Sequence, residues 1–127
     1  MSYNGSIIDS SPTRAFVTAE SLVGGAFTAV ALTENGVVTA GASSIPIGIL
    51  TAEHDLPIAA GEDVSVLVKD GGLWTVGEAV KAGDFLAAGT DGKAFKTVSG
   101  KFIFAQALAN GAASSAVPVQ IIRGGKA

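Results

Sequence analysis

The chain has 127 residues and a formal net charge of −3, and it is poor in charged side chains. Hydrophobic residues make up 48% and charged residues 15%, against about 25% charged residues in an ordinary soluble domain. This composition excludes an intrinsically disordered chain, which combines low hydrophobicity with high net charge. The acidic balance also argues against a nucleic-acid partner, because affinity for phosphates comes from clustered Lys and Arg.

The lack of cysteine and the short length of the longest apolar run exclude further classes of protein. The sequence contains no cysteine, so it offers no disulfide framework, thiolate zinc site or thiol nucleophile. Residues 22–32 form the longest near-continuous apolar stretch, and these 11 residues fall short of the roughly 20 that a membrane-spanning helix needs. Residues 1–6 lack the basic and apolar regions of a secretory signal. We therefore expect one domain with no membrane partner.

The first 14 residues differ in composition from the rest of the chain. They are polar and irregular, and residues 10–12 (Ser-Ser-Pro) are typical of a turn or an extended segment. Ile7 and Ile8 are their only large aliphatic side chains. We predict an extended N-terminal arm over residues 1–14, followed by a single β domain over residues 15–127. The alternative is a frayed terminus.

From residue 15 onward, short strand-like segments alternate with turn signals. Residues 34–36 (Glu-Asn-Gly) predict a hairpin, because Asn and Gly tolerate the positive φ angles of tight turns. Residues 64–69 alternate as a half-buried strand does, and residues 91–92 (Asp-Gly) predict a second hairpin. Residues 102–108 also alternate between two faces. Because Pro118 cannot donate a hydrogen bond to a ladder, we expect the last strand to be an edge strand there or to carry a bulge.

The pattern as a whole predicts an all-β fold with little helix. Eight to ten short strands, with turn signals every 8 to 12 residues, indicate a small barrel or sandwich. The sequence shows no repeat of fixed period. Residues 1–63 carry seven acidic side chains and one basic one, whereas residues 64–127 carry four acidic and seven basic ones. This asymmetry either has no meaning or gives complementary faces between subunits.

Candidate catalytic and metal-binding residues are sparse. His54 lies between Glu53 and Asp55 and could hold a metal or act as an acid–base group, but one imidazole in an acidic loop is more often simply solvated. Residues 89–94 (Gly-Thr-Asp-Gly-Lys-Ala) lack the first glycine and the hydroxyl residue of a phosphate-binding loop, so a hairpin is favoured. We expect no catalytic residue, no metal and no cofactor, and hence no enzyme.

Two further candidate functions, a lysine-modified carrier domain and a single-stranded nucleic-acid binder, depend on lysines. Residues 80–86 (Val-Lys-Ala-Gly-Asp-Phe-Leu) are similar to a turn of biotinyl and lipoyl carrier domains, but the lysine of residues 91–93 follows this turn instead of preceding it. Phe95 and Phe102, near Lys96 and Lys101, could stack single-stranded bases. The net acidic charge favours core positions for these phenylalanines instead.

The largest aromatic side chains of the second half are predicted to be buried. We expect Trp74, Phe102 and Phe104 to lie in the core or at a subunit interface, because aromatic side chains contribute most to both.

Five sequence blocks occur in an order that is more specific than any one of them. They are residues 59–66 (AAGEDVSV), 80–86 (VKAGDFL), 89–94 (GTDGKA), 102–108 (FIFAQAL) and 117–122 (VPVQII). Over roughly residues 45–123, the chain resembles the small capsid decoration, or head cement, proteins of tailed bacteriophages. The resemblance implies a compact β-barrel or β-tulip-like domain without catalytic residues. It also implies a homotrimer that bridges major capsid protein subunits on the outside of an assembled capsid.

The resemblance thus gives a functional expectation. We expect a structural virion protein, made in the bacterial host cytoplasm, whose partners are the major capsid protein and copies of itself. The N-terminal arm, with Ile7, Ile8, Pro12 and Arg14, could contact the capsid by adding a strand to a sheet edge. The alternatives are another virion or tail assembly module, or a small carrier domain or enzyme.

Overall fold

Strands dominate the part of the chain that the structure describes. The structure is a computed structural model, and it describes residues 11–22, 25–51 and 58–127. The strands are β1 (Thr13–Val17), β2 (Ala29–Thr33), β3 (Gly36–Thr39), β4 (Gly48–Leu50), β5 (Asp63–Leu67), β6 (Gly71–Thr75), β7 (Phe85–Ala88), β8 (Ala94–Lys96), β9 (Phe102–Ala107) and β10 (Ala116–Lys126). One 3-10 turn, Thr90–Gly92, lies between β7 and β8. The predicted all-β class is confirmed.

The strands form two five-stranded antiparallel sheets, one from each half of the chain. The first has the order β1-β5-β4-β2-β3, and the second has the order β6-β10-β9-β7-β8. We call residues 11–70 the N-terminal unit and residues 71–127 the C-terminal unit. Single parallel bridges, Thr18 to Val37 and Val76 to Ala94, join the two margins of each sheet at one point. Neither sheet closes into a barrel, so the barrel form of the prediction is not realised.

The two units have the same topology. Replacing β1–β5 by β6–β10 converts the first strand order into the second. The residue pairing also agrees: the pairs Val17–Asp63, Ala29–Ile49, Ile49–Leu67 and Val30–Thr39 correspond to Thr75–Ala116, Phe85–Gln106, Gln106–Gln120 and Leu86–Lys96. The chain therefore contains two copies of one structural unit.

This repeat has no fixed period in the sequence. The offset between matched residues is 58 positions from Val17 to Thr75, but it is 53 positions from Asp63 to Ala116. Unusual backbone angles recur with the same drift, because Asp70 (φ 66) and Arg123 (φ 46) both adopt left-handed angles and lie 53 positions apart. Insertions and deletions in the loops therefore conceal the repeat from a search for one period.

The hydrophobic core lies in two clusters. The cluster of the N-terminal unit comprises Leu22, Val30, Val37, Leu50, Ile58, Val64 and Val66. The other comprises the corresponding residues of the C-terminal unit, among them Val80, Leu86, Ala94, Ala107, Val117 and Val119. It also includes Ala29 and Ile49 of the N-terminal unit. The outer face of the first sheet is therefore buried against the second unit.

Both predicted hairpins form, and the last strand takes one of its two predicted forms: it is not an edge strand, but its pairing with β9 is irregular. β10 pairs with β6 on one side and with β9 on the other, so it is not an edge strand. The Pro118 carbonyl accepts a hydrogen bond from the Leu108 N–H at 2.9 Å, which places the backbone polar groups of Pro118 just beyond the end of β9. The ladder therefore does not need the missing N–H. The irregularity in β10 lies later, between Ile121 and Gly125.

Candidate interaction surfaces

The residues predicted to form a capsid-contact arm are only partly described. Ile7 and Ile8 lie outside the described residues, as does His54. Pro12 and Arg14 are exposed, and Arg14 belongs to β1. The Pro12 carbonyl accepts a hydrogen bond from the Val68 N–H at 2.8 Å. The end of the predicted arm therefore lies in the first sheet, and its contact with a capsid stays a prediction.

The predicted aromatic residues lie together in the C-terminal unit. Trp74 and Phe104 are fully buried, with their rings edge to face at 5.5 Å between centroids. The Trp74 Nε1–H donates to the Gly92 carbonyl at 2.8 Å, which satisfies the indole donor inside the core. Phe102 is partly buried against the same cluster. Trp74 and Phe104 are thus core residues of this unit.

Arg123 joins the two units. Its Nη1 and Nη2 atoms donate to the carbonyls of Pro46 at 3.2 Å and Ile47 at 2.6 Å, and its guanidinium lies 5.1 Å from the centre of the Phe104 ring. Burial lowers the pKa of the Arg123 guanidinium from its ordinary value, because desolvation disfavours the charged form. An arginine nevertheless keeps its proton in proteins, so these contacts hold the units together at ordinary pH.

Two equivalent loops form an apolar surface where the units meet. Residues 40–47 connect β3 to β4, residues 97–101 connect β8 to β9, and the Lys101 Nζ donates to the Ala42 carbonyl at 3.1 Å. Ile45 and Val98 are each 60% exposed and border grooves that share Ala42 and Lys101. We call Ala42, Ile45, Val98 and Lys101 the loop surface. It combines two exposed apolar side chains with one lysine, and protein interfaces likewise combine an apolar core with polar groups at the edge.

One groove of the C-terminal unit is lined by charged and amide side chains. It has a volume of about 640 Å³, and the residues that line it include no hydroxyl, thiol or imidazole side chain. The Asp84 carboxylate accepts the Lys81 N–H at 2.9 Å, and the Asn110 Oδ1 accepts the Ala82 N–H at 2.9 Å. These polar groups therefore stabilise turns.

Metal-binding clusters and membrane-spanning helices are both absent from residues 11–22, 25–51 and 58–127. No three His, Cys, Asp or Glu side chains in these ranges lie together as metal ligands. No helix in them is long and apolar enough to cross a membrane.

No protein-family model and no curated protein matches this chain. A solved structure with the same fold is the crystal structure of the N base of head fiber gp8.5 in bacteriophage phi29. The TM-score is 0.69 at 19% sequence identity, and the match covers 91% of this chain and 96% of that chain. At this identity the similarity shows a shared fold, and its coverage includes both units.

Sequence reasoning did not find the residues at the junction of the units. Arg123 lies one residue beyond the closing strand predicted over residues 117–122, although the following Gly124 and Gly125 are a signal for a bulge. Ile45 precedes a proline in a loop and carries no motif. Its exposure follows from how the two loops meet, which no local pattern encodes.

Proposed function

We propose that this protein is a structural component of a tailed-phage virion that binds the outside of the assembled head. There it bridges major capsid protein subunits, stabilises the shell and has no catalytic activity. The supporting observation is the fold, which matches the base of a phage head fiber over almost the whole of both chains. The sequence blocks that resemble those of capsid decoration proteins support the same role.

Stabilisation of a shell needs only binding. A ligand that binds the assembled shell, and not its separated subunits, shifts the equilibrium towards assembly by about 2.7 kcal/mol per site when it is present at 100 times its Kd. A homotrimer would engage three sites at once and gain avidity without new contacts. A protein of this kind requires exposed apolar anchors and no reactive groups.

We propose that the loop surface supplies such anchors. Ile45 and Val98 have the highest exposed fractions among the large hydrophobic side chains of the described residues. They come from equivalent loops of the two units and border grooves that share Ala42 and Lys101. Hot spots of binding are typically apolar anchors surrounded by polar contacts that exclude water. Ile7 and Ile8, in the predicted arm, are a second candidate anchor.

Co-sedimentation with shells tests this proposal. The partner is an assembled shell of the major capsid protein encoded in the same genome, and the readout is the amount of bound protein per shell. We expect the wild type to bind and I45D/V98D to bind at least about tenfold more weakly, because each buried aspartate stays unpaired. A60D/A113D is the control, since it adds the same charge at exposed, equivalent positions of the two units.

The outcomes separate the function from its surface. A wild-type protein that leaves the shells unoccupied contradicts the proposed function. Equal binding by wild type and I45D/V98D contradicts only the proposed role of the loop surface as the anchor. A variant lacking residues 1–10, which keeps β1 whole, then measures the contribution of the arm.

A further inference from the structure

We propose that copies of this chain associate head to tail and that this contact repeats the interface already present between the two units of one chain. The outer sheet face of the C-terminal unit, formed by Phe85, Gln106, Leu108 and Gln120, is the tail surface. The β1 margin of the N-terminal unit, with Arg14, Ala15 and Val17, is the head surface. The inference assigns surfaces to the self-association named in the proposed function, but it does not require a capsid.

The N-terminal unit contributes the outer face of its sheet to the interface within the chain. Ala29, Ile49 and Leu67 lie side by side across β2, β4 and β5. Ala29 and Ile49 are 0% exposed and belong to the core cluster of the C-terminal unit. The Leu67 side chain fills the space that a side chain at Gly72 would occupy. Ala29 and Ile49 are thus fully buried, and Leu67 is partly buried, because the second unit covers this row.

The C-terminal unit contributes a different part of the same fold, the margin formed by β6. The Thr75 N–H donates to the Phe27 carbonyl at 2.8 Å, and the Thr75 Oγ1 donates to the Ala26 carbonyl at 3.0 Å. Gly92, in the 3-10 turn, lies so close to the backbone of Ala29 that a Cβ would clash. The interface is therefore heterologous: sheet face on one unit, strand margin on the other.

A heterologous contact leaves each unit with one unused surface. Interfaces of this kind extend into rings when the rotation closes and into filaments when it does not. Within the part of the chain that the structure describes, the outer sheet face of the C-terminal unit and the side chains of Ala15 and Val17 at the β1 margin stay exposed. These two surfaces correspond by position to the two that already meet inside the chain.

The outer sheet face of the C-terminal unit carries two exposed apolar side chains. Phe85, Gln106 and Gln120 lie in one row across β7, β9 and β10, at the positions that correspond to Ala29, Ile49 and Leu67. Phe85 is 49% exposed and Leu108, beside this row, is 55% exposed. Phe85 and Leu108 together give this face exposed apolar surface that a partner would cover.

The unused β1 margin is exposed as well. Arg14, Ala15 and Val17 correspond to Gly72, Leu73 and Thr75, which contact the first unit. All three are exposed, and Val17 is a β-branched hydrophobic residue with 43% of its surface open.

Charge favours the head-to-tail pairing over a symmetric one. Residues 1–70 carry eight acidic and two basic side chains, and residues 71–127 carry three acidic and six basic ones. A head-to-tail contact places an acidic unit against the basic unit of the next copy, which is complementary. A symmetric contact between two N-terminal units would bring two acidic units together.

Two variants, each with one of the two surfaces disrupted, test this arrangement. The head variant, A15D/V17D, keeps an intact tail, and the tail variant, F85D/L108D, keeps an intact head. We expect each alone to self-associate at least about tenfold more weakly than wild type in light scattering. Mixed together, they should form a one-to-one heterodimer that does not grow further. Circular dichroism checks that both variants stay folded, since all four residues are exposed.

The absence of cysteine from the wild-type sequence allows a covalent version of this test. Gln120 and Arg14 correspond to Leu67 and Gly72, which touch inside the chain. The head variant carrying Q120C and the tail variant carrying R14C should cross-link to a covalent heterodimer. With the cysteines exchanged between the variants, both intact surfaces lack a thiol and no cross-link should form.

Three results would overturn the inference. One is a tail variant that still dimerises alone, because the contact would then be symmetric. The second is an absent cross-link in the first mixture, and the third is equal cross-linking after the exchange. All of these measurements use free protein without shells, and I45D/V98D should assemble like wild type. Failure of the proposed function is thus distinguishable from failure of the head-to-tail contact.

Discussion

At the scale of single residues, Gly36 shows how the margins of the first sheet are brought together. It starts β3 with φ at +130, and a Cβ at this position would collide with the Val17 carbonyl oxygen. This close approach lets β1 continue into the parallel bridge between Thr18 and Val37. Gly61 also has a positive φ, of +85, but the space around its absent side chain is open.

The pair Gly36→Ala and Gly61→Ala separates backbone strain from collision. We expect G61A to lower the free energy of unfolding by about 1–2 kcal/mol, the cost of a left-handed angle for an L-residue. G36A should lose roughly 2 kcal/mol more, because the Val17 backbone must shift as well. Urea denaturation followed by circular dichroism measures both, and equal losses would contradict the collision.

At the scale of elements, β10 shows where a proline is tolerated inside a sheet. In antiparallel sheets the N–H and C=O of one residue point to the same neighbouring strand. The Pro118 carbonyl points towards Leu108, so its ring nitrogen faces the same position beyond the end of β9. Two residues later, Gln120 lies opposite Gln106, within the paired part of β9.

Moving the proline by two residues should therefore be costly. We expect Gln120→Pro to lower the free energy of unfolding by roughly 2–4 kcal/mol, because it removes a ladder donor and leaves a carbonyl of β9 unpaired. Pro118→Val is the control and should change it by no more than about 0.5 kcal/mol. Thermal unfolding of both variants provides the comparison, and similar stabilities would contradict the assigned strand pairing.

At the scale of the whole molecule, the two units depend on each other. Ala29 and Ile49 of the N-terminal unit lie in the core cluster of the C-terminal unit. Arg123 of the C-terminal unit in turn donates to the loop between β3 and β4. Separation of the units would expose this shared apolar surface, so we expect them to unfold together.

Val64 and Val117 make this cooperativity measurable, since they are identical residues at corresponding, buried positions of the two units. Trp74 is the single tryptophan and reports on the C-terminal unit. Both Val64→Ala and Val117→Ala should lower the stability reported by Trp74 fluorescence, each by roughly 2 kcal/mol. If V64A leaves the Trp74 transition unchanged, the units unfold independently.

Local sequence patterns are sufficient to predict the all-β class, both hairpins and the alternation of β5. These features depend on contacts between near neighbours: a period of two along a strand and the turn chemistry of Asn-Gly and Asp-Gly. Burial of Trp74 and Phe104 also agrees with their size and type. Local physics is sufficient for predictions of this kind.

Contacts between residues far apart in the chain establish the repeat, the role of Arg123 and which sheet face stays exposed. Ala29 and Phe85 occupy the same position of the same unit, yet Ala29 is buried and Phe85 is exposed. The difference arises because a second unit follows the first in the chain and covers it, whereas none of residues 11–22, 25–51 and 58–127 covers the outer face of the second. Burial of a sheet's outer face is a property of its neighbour, and a strand's own alternation does not encode it.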